Sequence, residues 1–369
     1  MLDFLNKIYQ YPFRMTPTKL FKLICMSTLL AFISACGGGS SDNDEGSSGS
    51  GDSKPIKVVY VTNGVDPFWN IAENGALAAA REFDVNVEVY MPPNANIQEQ
   101  IQYLETQLIL DVDGVAISPI KPEAQNDFLN KIAKQTRLIT HDSDAPESNR
   151  LCFIGMDNYK AGRSAGKLVK EAIPNGGKVM LYVGRMDQLN ARQRRQGVID
   201  EILDKPMQSG LDMVETPVDE IVSNEKYSIV GTRTDGFLPD RAMANAQDTI
   251  NSMPDIACMV GLFAYNIPNC LQAVRQAGKV GEIALVSFDE NKSTLDGIKE
   301  GDVYGTISQQ PFQYGYDSVR ILAGLAREEE GILPENAYLE IPIIEVRKDN
   351  VGPFSEKVAE LSVSPSSKK

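Results

Sequence analysis

The chain has 369 residues, of which 42% are hydrophobic and 23% charged, and its net charge is −14 at pH 7. That length accommodates two domains with sizeable cores, and the composition is that of a soluble globular protein. The acidic balance leaves no cationic field to gather nucleic acid or anionic lipid, and a single histidine, His141, excludes a metal centre built from several histidines.

In chain order, Lys7, Arg14, Lys19 and Lys22 precede an uncharged run, LICMSTLLAFISA, at 23–35. The run is too short to span a bilayer comfortably but suits the apolar core of a secretory signal; Met15 is an alternative start that gives a signal of more ordinary length. The run ends in Ile33-Ser34-Ala35-Cys36, which resembles the lipobox of bacterial lipoproteins, where the cysteine receives diacylglycerol. Cys36 is then the lipidation site and new N-terminus, and its acyl chains suffice for stable membrane attachment. The following GGGSSDNDEGSSGSGDSK has almost nothing apolar to bury, and reads as a tether holding the folded part on the order of 25 Å from the bilayer.

From Lys57 onward short apolar runs alternate with amphipathic helical stretches. KVVYV, VNVEVY, DGVAIS and RLITHD are separated by segments such as IQEQIQYLETQLIL and AQNDFLNKIAKQ, the rhythm of a parallel sheet covered on both faces. After LCFIGMDN the rhythm restarts, through KVMLYV, DIACMVGL, EIALVSFDE and VYGTISQQ with helical stretches between them. The fold class is therefore α/β with two doubly wound halves. Cys152 and Cys258 lie in strand-like runs and read as buried thiols; a Cys258–Cys270 bridge is the alternative. No CxxC or Cys/His cluster offers a metal site.

Ligands of open parallel sheets bind beyond the carboxyl ends of the strands. Those ends here are VTNGVDPFW, SPI (118–120), HDSD (141–144), GRMDQLN (184–190), GLFAYN (261–266) and SFDE (287–290). They hold aromatics (Phe68, Trp69, Phe263, Tyr265, Phe288), carboxylates (Asp66, Asp142, Asp144, Asp289) and amides (Asn190, Asn266), with Arg194 one turn after Asn190. Aromatic faces suit the C–H faces of a sugar, while carboxylates, amides and Arg suit its hydroxyls. The bland alternatives are core filling for each aromatic and helix N-capping for each Asp. His141 reads equally as a ligand contact or a structural residue, and Arg194 has a bland alternative as a solvated helix charge like Arg192 and Arg195.

VVYVTNGVDPFWNIAENGALAAA, DGVAISPI, RLITHDSDA, FIGMDNYKAGRSAG, NARQRRQG and LVSFDENKSTLDGIKEG together resemble, in this order, the type I periplasmic sugar-binding proteins of the ribose-binding class. The similarity runs from Lys57 to about Val346. It implies two doubly wound parallel-sheet lobes joined by a three-stranded hinge, closing on a monosaccharide that is handed to an ABC permease. Carried over by position, the sugar contacts are Asp66, Phe68, Trp69, Asp142, Arg194, Phe237, Phe263, Asp289 and Gln309, with crossings near Asp157, near Gln309 and between about 337 and 341. The expected division is a signal peptide at 1–35, a tether at 36–54, an N-terminal lobe of 55–156 plus 310–338, a C-terminal lobe of 157–309 plus 339–350, and a loose tail at 351–369. The chain departs from the ribose binders at Asp66, where an amide is common, at Ser143, where an Arg can follow the Asp, and at Phe263, where an Asn is usual. These changes alter the hydroxyl-reading groups and argue against ribose itself.

The resemblance implies a monomeric extracytoplasmic lipoprotein with no cofactor, no metal and no enzymatic activity. Its partners are a sugar, the transmembrane subunits of a permease, and the membrane through the anchor alone. A sensing protein that presents its sugar to a membrane receptor or kinase shares fold, anchor and pocket. A sugar-responsive repressor would need a basic helix-turn-helix in place of signal and tether.

Overall fold

The computed structural model describes residues 54–363. The expected signal peptide, Cys36, all of the tether before Lys54, and residues 364–369 lie outside the described residues.

The first sheet has the order β2-β1-β3-β4-β5-β12, all parallel, with β1 at Lys57–Val61, β2 at Asn86–Tyr90, β3 at Gly114–Ile117, β4 at Arg137–His141, β5 at Phe153–Gly155 and β12 at Tyr338–Glu340. Alternation along β1 sends Val58 and Tyr60 to one face and Val59 and Val61 to the other. The first pair packs under α1 (Pro67–Glu82) and α9 (Pro311–Ala326), and the second meets Leu104 of α2 (Ile97–Ile109) and Leu129 and Ile132 of α3 (Pro122–Ala133).

The second sheet has the order β13-β11-β10-β9-β6-β8-β7. Its strands are β6 (Gly177–Val183), β7 (Val222–Ser223), β8 (Tyr227–Thr234), β9 (Ile256–Gly261), β10 (Ala284–Phe288), β11 (Gly305–Ser308) and β13 (Ile344–Val346), of which β7 and β13 run antiparallel to their neighbours. Val179, Leu181 and Val183 pack with α4 (Asn158–Ala172) and α5 (Leu189–Ile202) on one face. Met180 and Tyr182 pack with α6 (Pro239–Ser252), α7 (Asn266–Gln276) and α8 (Lys292–Glu300) on the other.

Each lobe holds one helix crossing that only glycine permits. A Cβ on Gly75 would lie 1.9 Å from the Phe312 carbonyl, and one on Gly315 1.8 Å from that of Ala72, where α1 meets α9. In the second lobe a Cβ on Gly162 would lie 2.2 Å from the Arg194 carbonyl, and one on Gly197 2.2 Å from that of Tyr159, where α4 meets α5. The second crossing fixes the height of α5 against the sheet, and so the position of Arg194.

The chain changes sheet three times, after β5, after β11 and between β12 and β13. The crossings are braced to one another. The Tyr314 hydroxyl accepts from the Met156 amide at 3.1 Å and donates to Gln309 Oε1 at 3.3 Å, and Gln310 Nε2 donates to the Pro342 carbonyl at 2.5 Å. Two expectations need correction. Leu339 and Glu340 pair with β5 in the first sheet, so the third crossing falls at 341–343, because the strand continues as far as the β5 edge can pair it. The stretch expected as a loose tail from 351 is, up to Ser362, helix α10 (Val351–Ser362). Val351, Phe354 and Val358, spaced along one helical face, pack into the second lobe, while Asn74 of α1 donates to the Leu361 carbonyl at 2.9 Å.

Candidate binding cleft

Asp142 follows β4 with φ +58, a left-handed backbone that turns its carboxylate away from the sheet. Its Oδ2 accepts from Ser118 Oγ at 2.9 Å and from Asn63 Nδ2 and Asn190 Nδ2 at 3.3 Å each. Asn190 belongs to the second lobe, as does Arg194, whose Nη2 lies 3.5 Å from Asp142 Oδ1. Burial raises the Asp142 carboxyl above its usual range, and Arg194 pulls it back down.

Arg194 is 1% exposed and fully engaged. Nε donates to Asn158 Oδ1 at 2.8 Å, Nη1 to the Leu262 carbonyl at 3.0 Å and Nη2 to Gln309 Oε1 at 2.6 Å. The guanidinium lies 5.5 Å from the ring centre of Phe263 and 5.2 Å from that of Phe288. Gln309 passes the chain on, its Nε2 donating to Asp289 Oδ1 at 2.5 Å. Asp289 sits at φ +69 after β10. Burial pushes its carboxyl up to about 7, against the pull of Arg194.

The aromatics form two groups. Phe68 and Trp69 meet edge to face at 4.8 Å, and Trp69 meets His141 at 5.7 Å. Across the cleft Phe237, in the left-handed region at φ +66, stacks on Phe263 at 5.8 Å and carries Arg185 over its ring at 5.1 Å. Three expected site residues thus hold left-handed backbones; for a bulky residue such as Phe237 this is strain of the kind that gathers at functional sites.

The nine expected residues come to one region but not to one surface. A cavity of about 520 Å³ opens between α1 and α8 under α10, and Asp66, Phe68 and Asp289 line it. Trp69, Asp142, Arg194, Phe237, Phe263 and Gln309 do not. Arg194 is ion-paired with Asp142 and hydrogen-bonded to Gln309, a bridge that reaches the cavity through Asp289, and Trp69 packs behind Phe68. Asp66 does act as an N-cap, accepting from the Phe68 amide at 2.8 Å, while no helix is capped by Asp142 or Asp289.

Other readings resolve plainly. His141 is structural: fully buried, it stacks on Tyr60 at 4.1 Å, its Nε2 donates to the Val61 carbonyl at 3.2 Å and its Nδ1 accepts from the Tyr60 hydroxyl at 3.1 Å. Burial lowers its pKa to about 3, so the ring is neutral. Arg192 and Arg195 are not solvated charges. Arg192 reaches across the cleft to Glu123 at 2.6 Å, and Arg195, 1% exposed, donates to Thr232 Oγ1 and to the Thr216 and Pro217 carbonyls. Cys152, Cys258 and Cys270 are buried free thiols. The GRSAG pattern at 162–166 lies inside α4 and not at the strand-to-helix elbow a nucleophilic serine would need. Among the described residues no group of three or more His, Cys, Asp or Glu is placed to hold a metal ion.

Residues outside the expected set also serve the cleft. Asn63, Ser118, Asn158 and Asn190 hold Asp142 and Arg194. Glu290, buried beside Asp289, lines the cavity, and its Oε2 has no hydrogen-bond partner. Glu290 was visible in SFDE as a second carboxylate at a strand end. Asn190 stands among the strand-end amides of the sequence, whereas Asn63 and Asn158 carry no such signal, because an amide at a strand end is more often a turn residue.

A family model described as periplasmic binding protein domain matches residues 56–330. The chain is 21% identical over 267 residues to the ribose import binding protein of Salmonella typhimurium, covering 72% of this chain and 82% of that one. It is superimposable on a solute-binding protein of an ABC transporter from Burkholderia graminis solved with D-arabinose, with a TM-score of 0.73, 23% identity, and 82% and 98% of the two chains covered. A third similarity, with a TM-score of 0.70, 22% identity and coverage of 80% and 99%, is to the solved XylFII–LytSN complex. The chain belongs to the periplasmic binding protein domain family, and its two-lobed fold is that of the type I periplasmic sugar-binding proteins.

Proposed function

We propose that the protein captures a monosaccharide in the cleft and delivers it to an ABC-type permease, as an extracytoplasmic lipoprotein anchored through Cys36, with no enzymatic step. The observation that carries this reading is the bridge from Asp142 through Arg194 and Gln309 to Asp289. It places charged donors and acceptors from both lobes beside aromatic rings, the pairing that sugar hydroxyls and C–H faces require. Asp66 and Phe68 of the first lobe and Asp289 of the second meet the sugar in the cavity. Trp69 backs Phe68, and Asp142, Arg194 and Gln309, with Phe237 and Phe263 packed beside them, hold the two lobes in register behind it. A ligand that touches both lobes favours the closed form by its differential contacts, and the permease reads that closure. The names of similar proteins, which include ribose and arabinose binding, support the substrate class.

A thermal-shift screen against pentoses, hexoses and inositols tests the reading. One class is expected to raise the melting temperature by a few degrees at about 100 times its Kd, where ligation contributes about 2.7 kcal/mol; no response to any saccharide would contradict it. A second reading, presentation of the sugar to a membrane receptor or kinase, is favoured by the similarity to a protein solved in complex with another protein, LytSN. Sugar uptake that persists when the gene is deleted would favour this second reading over transport.

A further inference from the structure

Glu290 follows Asp289 at the end of β10 and lines the cavity, but it stands outside the nine expected contacts. It is 6% exposed, and its Oε2 has no hydrogen-bond partner. The carboxyl is otherwise held, since the Ser308 hydroxyl and its own amide donate to it. A native fold rarely leaves a buried polar oxygen unmet. A carboxyl fixed by two donors, with one oxygen left over in the wall of a cavity, is directed at what the cavity takes.

The surroundings decide what that oxygen offers. Burial raises the Glu290 carboxyl well above its usual range, and the neighbouring carboxylates Asp289 and Asp66 raise it further. Arg194 acts on Asp289 and Asp142, Lys292 and Lys299 of α8 pair with Asp296, and the residues of α10 that line the cavity carry no charge. Glu290 therefore keeps its proton at neutral pH, and a protonated carboxyl has one O–H to donate. Asp289, whose Oδ1 accepts from Gln309, is an acceptor beside it.

We propose that Glu290 is a sugar contact that sets specificity, donating from Oε2 to one hydroxyl oxygen of the saccharide while Asp289 accepts from a neighbouring hydroxyl. This rests on the sugar-binding reading above and deepens it. A sugar without an oxygen at that position leaves a buried donor unpaired, which is how a site built to hydrogen-bond a hydroxyl rejects the analogue that lacks it.

The test is calorimetry on the full chain with D-ribose, D-arabinose, D-xylose, D-glucose, D-galactose and myo-inositol, repeated on Glu290→Met and Glu290→Gln, with thermal melts of each protein without ligand. Glu290→Met keeps the length of the side chain and removes its polar atoms. It is expected to bind at least about tenfold more weakly while melting no lower than the unaltered chain, because the unpartnered oxygen goes with the carboxyl. Glu290→Gln retains a donor and is expected to bind more tightly than Glu290→Met. A glutamate with only a structural role would give the reverse, a lower melting temperature with unchanged affinity, and that result overturns the proposal while the sugar reading stands. If Glu290→Met does not fold, infrared difference spectra of the unaltered chain and Glu290→Gln carry the decision. Sugar binding is expected to shift a protonated-carboxyl band in the unaltered chain that Glu290→Gln lacks, and the same spectrum from both overturns the proposal. Silence from all six compounds overturns the sugar reading and the proposal with it.

Discussion

Arg192, Arg194 and Arg195 sit within one turn of α5 and do three different things. Arg192 makes a partly exposed pair with Glu123 across the cleft, and such pairs contribute little, so Arg192→Ala is expected to change ligand affinity by less than about fivefold. Arg194→Ala removes the centre of the interlobe bridge and is expected to weaken binding roughly 30- to 100-fold or more by calorimetry. Arg195→Ala removes the donor of three acceptors, of which the Thr216 carbonyl is buried, and is expected to lower folding stability by about 1–3 kcal/mol in urea unfolding. The spacing in NARQRRQG marks the helix but not these roles, because which way each guanidinium goes is set by β8 and the 216–217 loop on one side and by Asn158 and Gln309 on the other. Asp289 gives a pH signature at the same scale. Its folded pKa of about 7 lies above the ordinary carboxylate value, so the folded form binds the extra proton and its stabilisation is lost as pH rises from about 4 to about 7. His141, neutral down to about 3, acts in the opposite sense over much of that window. Comparison with Asp289→Asn cancels it: in thermal melts without ligand, the unaltered chain is expected to lose stability relative to the variant between pH 4 and pH 7, and parallel curves would contradict the buried carboxyl.

The helix crossings and α10 are where local pattern and tertiary need diverge. Gly162→Ala would place a methyl against the Arg194 carbonyl, a backbone atom with no room to yield. The variant is expected to lose about 1–3 kcal/mol of stability and, by lifting α5, to weaken ligand binding more than a surface substitution on the same helix. Deleting 351–369 exposes the surface under Val351 and Phe354 and removes the helix that roofs the cavity. A lower melting temperature and faster ligand release in stopped-flow fluorescence are expected. The β-strands buried on both faces were legible as continuous apolar runs, β1 and β6 most clearly. β8 carries no such signal, because YSIVGTRT mixes Ser, Gly, Arg and Thr into its middle, and its pairing with β6 and β7 makes it a strand. The α10 stretch reads as loose because its apolar stripe is a single turn repeated, VGPF and then Val358, and its burial depends on a groove that other elements build.

At the scale of the whole molecule, the resemblance carried the two parallel-sheet lobes and a chain that crosses between them, the last crossing displaced to 341–343. It did not show which of the nine proposed contacts face the cavity and which form the bridge behind it, since that depends on how the lobes meet. The central claim is that a saccharide is held between those lobes, and Trp69 is placed to report it. It is the only tryptophan in the chain, packs edge to face on Phe68, which lines the cavity, and shares its core with Ala264 of the opposite lobe. The decisive measurement is a Trp69 fluorescence titration with the saccharide that the thermal screen selects, run beside calorimetry on the unaltered chain and on Arg194→Ala. A saturable change with one-to-one stoichiometry, shifted to higher concentration by at least 30-fold in Arg194→Ala, is the expected result. A saccharide that binds calorimetrically with flat emission and with equal affinity in Arg194→Ala would contradict the cleft as the site of capture.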